Sequence, residues 1–218
     1  MRVGVAIPCF IGHIPQCLTL LDSIENQTRK PDEVVVSCSS TTEFPTKQYS
    51  YPVRIITTEK KQNASTNRNI AASNLTTDII CFFDADDKMH PQRLEIIEHS
   101  FENTDIILHS FFEEAEKNCN YPHIDMSNYC IIRNQLSRAP SGCITLDNIQ
   151  RIHHGQVSIT QQIFQQVRFP EDPIYETRED CAFCYSVFEL PDIRSAYLPY
   201  PLSKYIPSLT CFSEKEKI

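Results

Sequence analysis

Five consecutive apolar residues, Ile79-Ile80-Cys81-Phe82-Phe83, run without a polar break into Asp84-Ala85-Asp86-Asp87. The run is too short for a helix and lacks the alternation of a strand wetted on one face, so it predicts a central strand covered on both sides. The three acids then fall at its carboxyl end, the edge of an open α/β sheet at which ligands bind. Asp84 and Asp86, with only the small Ala85 between them, can both turn toward one oxygen-coordinated divalent cation. Without a cation or donors to offset them, three close carboxylates repel one another. The competing reading makes Asp87 and its neighbours caps for a helix that begins at His90-Pro91.

The remaining segments supply a sheet for that strand. Residues 3–7 read as a first strand stopped by Pro8. A helix entered near His13 or Ile14, with Pro15 at an early position, follows and buries Leu18, Leu21, Ile24 and Cys17. Residues 33–38 form a second strand ending in Ser39-Ser40, which makes a right-handed βαβ unit. Residues 41–52 read as a polar loop with room for a short helix, and residues 53–57 as a third strand. The helix beginning near Asn63 opens with amides and hydroxyls, a start that can receive an anion. Arg68 there is a planar cation suited to phosphate or carboxylate, and the alternative is a surface salt bridge. At an exposed helix start its removal is expected to leave the melting temperature unchanged.

Beyond the acids, residues 91–101 predict a helix and residues 105–111 a strand. Regularity fades over residues 113–140, with a short strand expected at residues 129–132. Residues 148–159 read as an edge strand with a turn; His153 and His154 are adjacent there, so on a strand they face opposite ways and do not share one ion. A short helix over residues 160–166, an apolar helical face at Ala182, Phe183, Val187 and Phe188, and a strand over residues 195–200 complete the α/β pattern.

With 218 residues, 41% of them apolar, one domain with one core is the default. The net charge of −8 and the lack of a basic stripe exclude a nucleic-acid surface. An acidic protein still binds an anionic diphosphate when a metal supplies local positive charge. Among ten cysteines, Cys9, Cys38 and Cys81 sit in core strands, as small buried thiols do. Cys181 and Cys184 form a C-x-x-C inside a helix with no second pair, which argues against zinc. The first strand begins too early for a signal peptide and no stretch reaches bilayer length, so a cytoplasmic chain without integral membrane contact is expected.

Several short signals occur together in a recognisable order: Val5-Ala6-Ile7-Pro8-Cys9-Phe10, residues 20–28, Pro31-Asp32-Glu33-Val34-Val35-Val36, Asn63 with Arg68-Asn69, Phe83-Asp84-Ala85-Asp86-Asp87, Pro91 with Arg93-Leu94-Glu95, Gly155 with Ser158-Ile159, Val167-Arg168-Phe169, and Glu179-Asp180. This order resembles the inverting glycosyltransferases of family two, which have the nucleotide-diphospho-sugar-binding GT-A fold, a single Rossmann-like mixed sheet flanked by helices. The resemblance implies a nucleotide-sugar donor, a UDP-sugar first among the candidates, and a glycan or glycoprotein acceptor. It also implies Mn²⁺ or Mg²⁺ held by Asp86, with Asp84 contacting ribose, metal or water. Pro8, Cys9, Phe10 and Ser39 would line base and ribose, Asn63, Arg68 and Ala85 would lie beside the nucleotide, and Asp180 would be the general base. Residues 1–112 would then bind the donor, and residues 113–218 would bind the acceptor and supply the base.

Two departures bear on this. Ser37-Cys38-Ser39-Ser40 stands where many relatives carry an acid, so base recognition would rely on backbone groups and hydroxyls. The histidine often found after the end segment near Tyr205 is absent, which leaves His109, His153, His154 or water as third metal ligand. A non-catalytic sugar-nucleotide-binding domain and a nucleotidyltransferase are the alternatives, although the latter lacks a glycine- and lysine-rich phosphate loop. For Asp180 the competing role is that of a helix N-cap.

Overall fold

The computed structural model describes residues 1–112, 121–139, 144–147, 150–151 and 156–206. The amino-terminal half alternates strand and helix: β1 (Val3–Phe10), α1 (Ile14–Ile24), β2 (Glu33–Ser39), β3 (Val53–Thr58), α2 (Ala64–Ser73) and β4 (Ile79–Phe82). After the acids come β5 (Lys88–Met89), α3 (Arg93–Ser100) and β6 (Ile106–Phe112). The later half holds β7 (Ile132–Arg133), β8 (Leu136–Arg138), β9 (Ile144–Leu146), β10 (Gln150–Arg151), β11 (Ser158–Thr160), α4 (Gln161–Gln166), α5 (Glu179–Val187) and β12 (Ser195–Lys204).

The main sheet has the order β3-β2-β1-β4-β11-β6-β12-β5, with β7 also paired to β12, while β8, β9 and β10 form a small second sheet. Alternation along the central strands shows why both faces are covered. Val3, Val5, Ile7, Ile79 and Cys81 face one core with Leu20, Leu21 and Ile24 of α1 and Leu94, Ile96 and Ile97 of α3. Ala6, Ile80 and Phe82 face the other, with Ala71 and Ala72 of α2, Phe164 of α4 and Phe183 and Val187 of α5. This is the expected mixed α/β sheet flanked by helices.

Several boundaries differ from expectation. β1 does not stop at Pro8 but pairs with β2 as far as Phe10 against Ser39. The Ala6 carbonyl accepts from the Phe83 N–H, so even-numbered positions of β1 aim their backbone groups at β4. Pro8 belongs to that set, and the N–H it lacks is the donor that the next bond, to the Phe83 carbonyl, would need, so the β4 ladder ends at the pair of Ala6 with Phe82. In α1, Leu20 is buried where Leu18 was expected to be. Residues 41–52 carry no helix. The strand expected at residues 129–132 is the two-residue β7. The expected edge strand is the largest change: β11 lies inside the sheet, antiparallel to β4 on one side and β6 on the other. β12 extends past residue 200 to Lys204, with register shifts around Pro201 where the ladder loses a donor.

Gly4 marks a close approach in β1. A Cβ there would sit 2.4 Å from Thr77 Oγ1 and 2.8 Å from a Leu75 methyl. Gly4→Ala is therefore expected to destabilise the fold by about 1–3 kcal/mol, the usual effect of overpacking. A urea titration checks this as a lower midpoint at unchanged slope, and an unmoved midpoint would mean that the helix-to-strand connection yields freely.

Candidate active site

Strand order reverses between β1 and β4, and the carboxyl ends of β1, β2 and β4 open onto that crevice. It gathers Pro8, Cys9 and Phe10 from β1, Ser39 from β2, and Asp84, Ala85 and Asp86 from the turn after β4. Asn67, which no sequence motif singles out, ties the first two ends together. Its amide donates to the Cys9 carbonyl at 3.0 Å and to Ser39 Oγ at 3.0 Å, while its oxygen accepts from Ser37 Oγ at 2.9 Å. Ser39 is fully buried by this network, so its hydroxyl orders the crevice from beneath rather than projecting into it. Cys9 is also buried; its hydrogen bond with Cys17, and then burial, push its thiol well above the usual range. Cys38, opposite Cys9 in the ladder, is pushed up to about 12 chiefly by burial. Cys9, Cys38 and Cys81 are free and buried, as expected.

The acids sit at a crowded turn. Burial, then Asp84, raise the Asp86 carboxyl above its ordinary value, and the His13 imidazole, 3.7 Å away, opposes the rise. His13 stacks at a tilt on Phe10 with ring centroids 4.3 Å apart, so the start of α1 reaches the same crevice. Asp87 is pushed up to about 8 by burial, then by Asp84 and Asp86. It does not cap a helix: its oxygens accept from the Gln156 side-chain amide and, at 2.8 Å, from the Ile206 N–H.

Arg68 is not exposed. It is only 4% accessible, and its guanidinium donates to Asp84 Oδ1 at 2.7 Å and to Glu179 Oε1 at 2.8 Å. The cation lies 5.3 Å from the centre of the Phe169 ring, and its Nε has no hydrogen-bond partner among the described residues. One buried arginine thus links the turn after β4 to the start of α5. Asn63 caps α2 by accepting the Thr66 N–H at 2.8 Å, and its amide donates to the Glu171 carbonyl at 2.9 Å. Both functions of that side chain are internal.

Asp180 occupies the first turn of α5, whose N-cap is Arg178 with no side-chain cap bond. Its Oδ1 accepts the Cys181 N–H at 2.7 Å. α5 is anchored by aromatic packing: Phe183 stacks on Phe169 at 4.0 Å, and both rings meet Phe82 of β4 edge-on. Such contacts contribute about 0.5–1.5 kcal/mol each beyond area burial and fix Asp180 to the central strand.

Among the described residues no three His, Cys, Asp or Glu side chains cluster closely enough to hold a metal by themselves. His109 is not a third ligand. Arg93 Nε donates to its Nε2 at 3.3 Å, so the ring proton is on Nδ1, which faces the Ser110 carbonyl at 2.7 Å. His153, His154 and Gly155 lie outside the described residues.

Comparison with known proteins places this geometry. The family model described as "Glycosyl transferase family 2" matches residues 5–165. An uncharacterized glycosyltransferase of Haemophilus influenzae is 35% identical over 78 residues, 35% of this chain and 26% of its own length. The crystal structure of S. aureus TarS 1-349 in complex with UDP superposes with a TM-score of 0.66 at 18% identity, covering 98% of this chain and 63% of that one. The complex of the same fragment with UDP-GlcNAc gives a TM-score of 0.66 at 18% identity, with 95% and 59% covered. The chain therefore spans about a quarter of the curated relative and less than two thirds of these structures, whose likeness at such identity is one of fold.

Proposed function

Because the chain belongs to glycosyl transferase family 2, we propose that it transfers a sugar from a nucleotide-diphosphate donor, a UDP-sugar first among the candidates, to a hydroxyl of a glycan or glycoconjugate. The observation that carries this reading is the joining of two acid clusters across the switch-point crevice: Arg68 bridges Asp84 beside Asp86 to Glu179 beside Asp180.

Asp84 and Asp86 suit a hard divalent cation. They offer carboxylate oxygens in a half-buried turn where burial, and then neighbouring negative charge, raise Asp86 and Asp87, and Mg²⁺ or Mn²⁺ commonly takes one or two carboxylates, with phosphate oxygens and water completing its shell. When bound, such an ion would neutralise charge developing on the departing diphosphate. The chain's own residues do the rest. The Pro8–Phe10 backbone and the end of β2 border the nucleoside. The Asp180 carboxylate accepts the proton of the acceptor hydroxyl as that oxygen attacks the anomeric carbon, and the electron pair of the breaking bond leaves with the diphosphate oxygen. Attack opposite the leaving group inverts the anomeric configuration.

Calorimetric titration with UDP, with and without Mn²⁺, tests the donor side. Wild type is expected to need Mn²⁺ for tight binding. Asp86→Asn is expected to weaken metal-dependent binding by more than the roughly 10-fold typical of losing an outer-shell partner. Equal affinity in the folded variant would remove Asp86 from the proposed donor site. Incubation with nucleotide sugars and candidate acceptors, followed by product analysis, separates transfer from mere binding.

A further inference from the structure

Arg93 is the largest fully buried side chain among the described residues, yet none of their carboxylates lies within salt-bridge distance of it. Its cation rests 5.0 Å from the centre of the Phe83 ring. Nη2 donates to the Gln156 carbonyl at 3.1 Å and more weakly to the Phe82 carbonyl at 3.4 Å, while Nη1 has no hydrogen-bond partner among the described residues. Burial lowers its affinity for the proton. A buried charge without a counter-ion is a poor way to hold a core together, because an apolar side chain of similar volume usually does as well or better.

The two carbonyls explain its presence. Phe82 is the last residue of β4, two positions before Asp84. Gln156 leads into β11, and its side chain donates to Asp87. We infer that Arg93 is a positioning residue: it clamps the end of β4 to the segment entering β11 and so sets the turn that presents Asp84 and Asp86. Its consequence for binding rests on the donor reading above, whereas its effect on the turn does not. The arginine fork suits the task because it reaches two carbonyls at once while Nε holds the His109 ring. The same clamp aligns Gln156 so that Asp87, the most strongly raised acid of the turn, keeps a donor.

The test compares wild type with Arg93→Met and Arg93→Lys, using melting temperature, hydrogen exchange at the amides of residues 83–87, and titration with UDP in the presence of Mn²⁺. Arg93→Met is expected to melt at or above wild type, to exchange faster at residues 83–87, and to bind UDP at least about 10-fold more weakly. Arg93→Lys, which reaches one carbonyl, is expected to fall between the two in affinity. Unchanged exchange and unchanged UDP affinity in Arg93→Met overturn the inference and leave the arginine a core residue only. Should Arg93→Met fail to fold, Arg93→Lys decides: it keeps the charge but can reach only one of the two carbonyls. Faster exchange at the turn then supports the clamp, and wild-type exchange refutes it. Wild-type protein that binds no UDP would count against the donor reading alone, because the exchange comparison needs no ligand.

Discussion

Asp180→Asn is expected to lower the transfer rate by at least about 100-fold while leaving folding and UDP binding in place. The substitution is nearly isosteric, and the new side chain still offers an oxygen to the Cys181 N–H that Asp180 now bonds at 2.7 Å. The start of α5 should therefore be undisturbed, the more so because Arg178, not Asp180, is the cap residue. What asparagine cannot do is accept a proton from an attacking hydroxyl. Rates at saturating donor and acceptor, read beside the melting curve, check this. Near-wild-type turnover would exclude Asp180 as the base. Glu179 would be a poor replacement because Arg68 holds it at 2.8 Å. Glu171 and Asp172 bond only neutral donors among the described residues, the Asn69 amide and the Ile174 N–H, so the search would turn to those two acids.

The second large effect concerns stability. Arg68→Met is expected to destabilise the fold by about 3–5 kcal/mol, the usual result of removing one partner from a buried ion pair. The side chains left behind, Asp84 and Glu179, are 25% and 13% exposed, too little for water to restore their solvation fully. Methionine keeps contact with Phe169, so the loss reports charge rather than volume. The deficit should depend on pH. Burial raises the Glu179 carboxyl above its ordinary value of 4.5, and Arg68 opposes that rise. Without the arginine the folded-state value climbs further, so the proton is held more tightly in the folded than in the unfolded chain. The variant then keeps most stability while Glu179 is protonated and loses it as pH rises above about 4.5 toward neutrality. Chemical denaturation at pH 5 and pH 8 checks this, and a deficit equal at both pH values would assign the loss to packing.

That expectation reverses the one drawn from sequence, and the reversal shows what a sequence can and cannot carry. The strand at Ile79, the acids at its end and the βαβ opening were legible because burial on both faces and helical spacing are local patterns. Arg68 is not legible in this way, because an arginine amid amides and hydroxyls reads as solvated. Its partner Glu179 lies 111 residues downstream and only tertiary structure brings it close. The same holds for Arg93: its position in a helix start was visible, but carbonyl partners leave no trace in side-chain identity. Asn67 and His13 belong to no periodicity or charge pattern. β11 reads as an edge strand because three residues with two hydroxyls have none of the apolar continuity that marks a strand with neighbours on both sides.

The inward position of β11 also orders events in time. β1 to β4 are complete once residue 82 has been made, yet the far side of β4 gains its neighbour only with residues 158–160, which pair with Ile79, Ile80 and Cys81. At roughly 5–20 residues per second the 76 residues from position 83 through position 158, the difference between 158 and 82, take about 4–15 s to synthesise. Throughout that interval a nascent chain displays an apolar strand with open backbone groups, the kind of edge that recruits other strands. The late insertion that completes the crevice thus makes the half-built sheet the stage at which this chain is most exposed to misassembly.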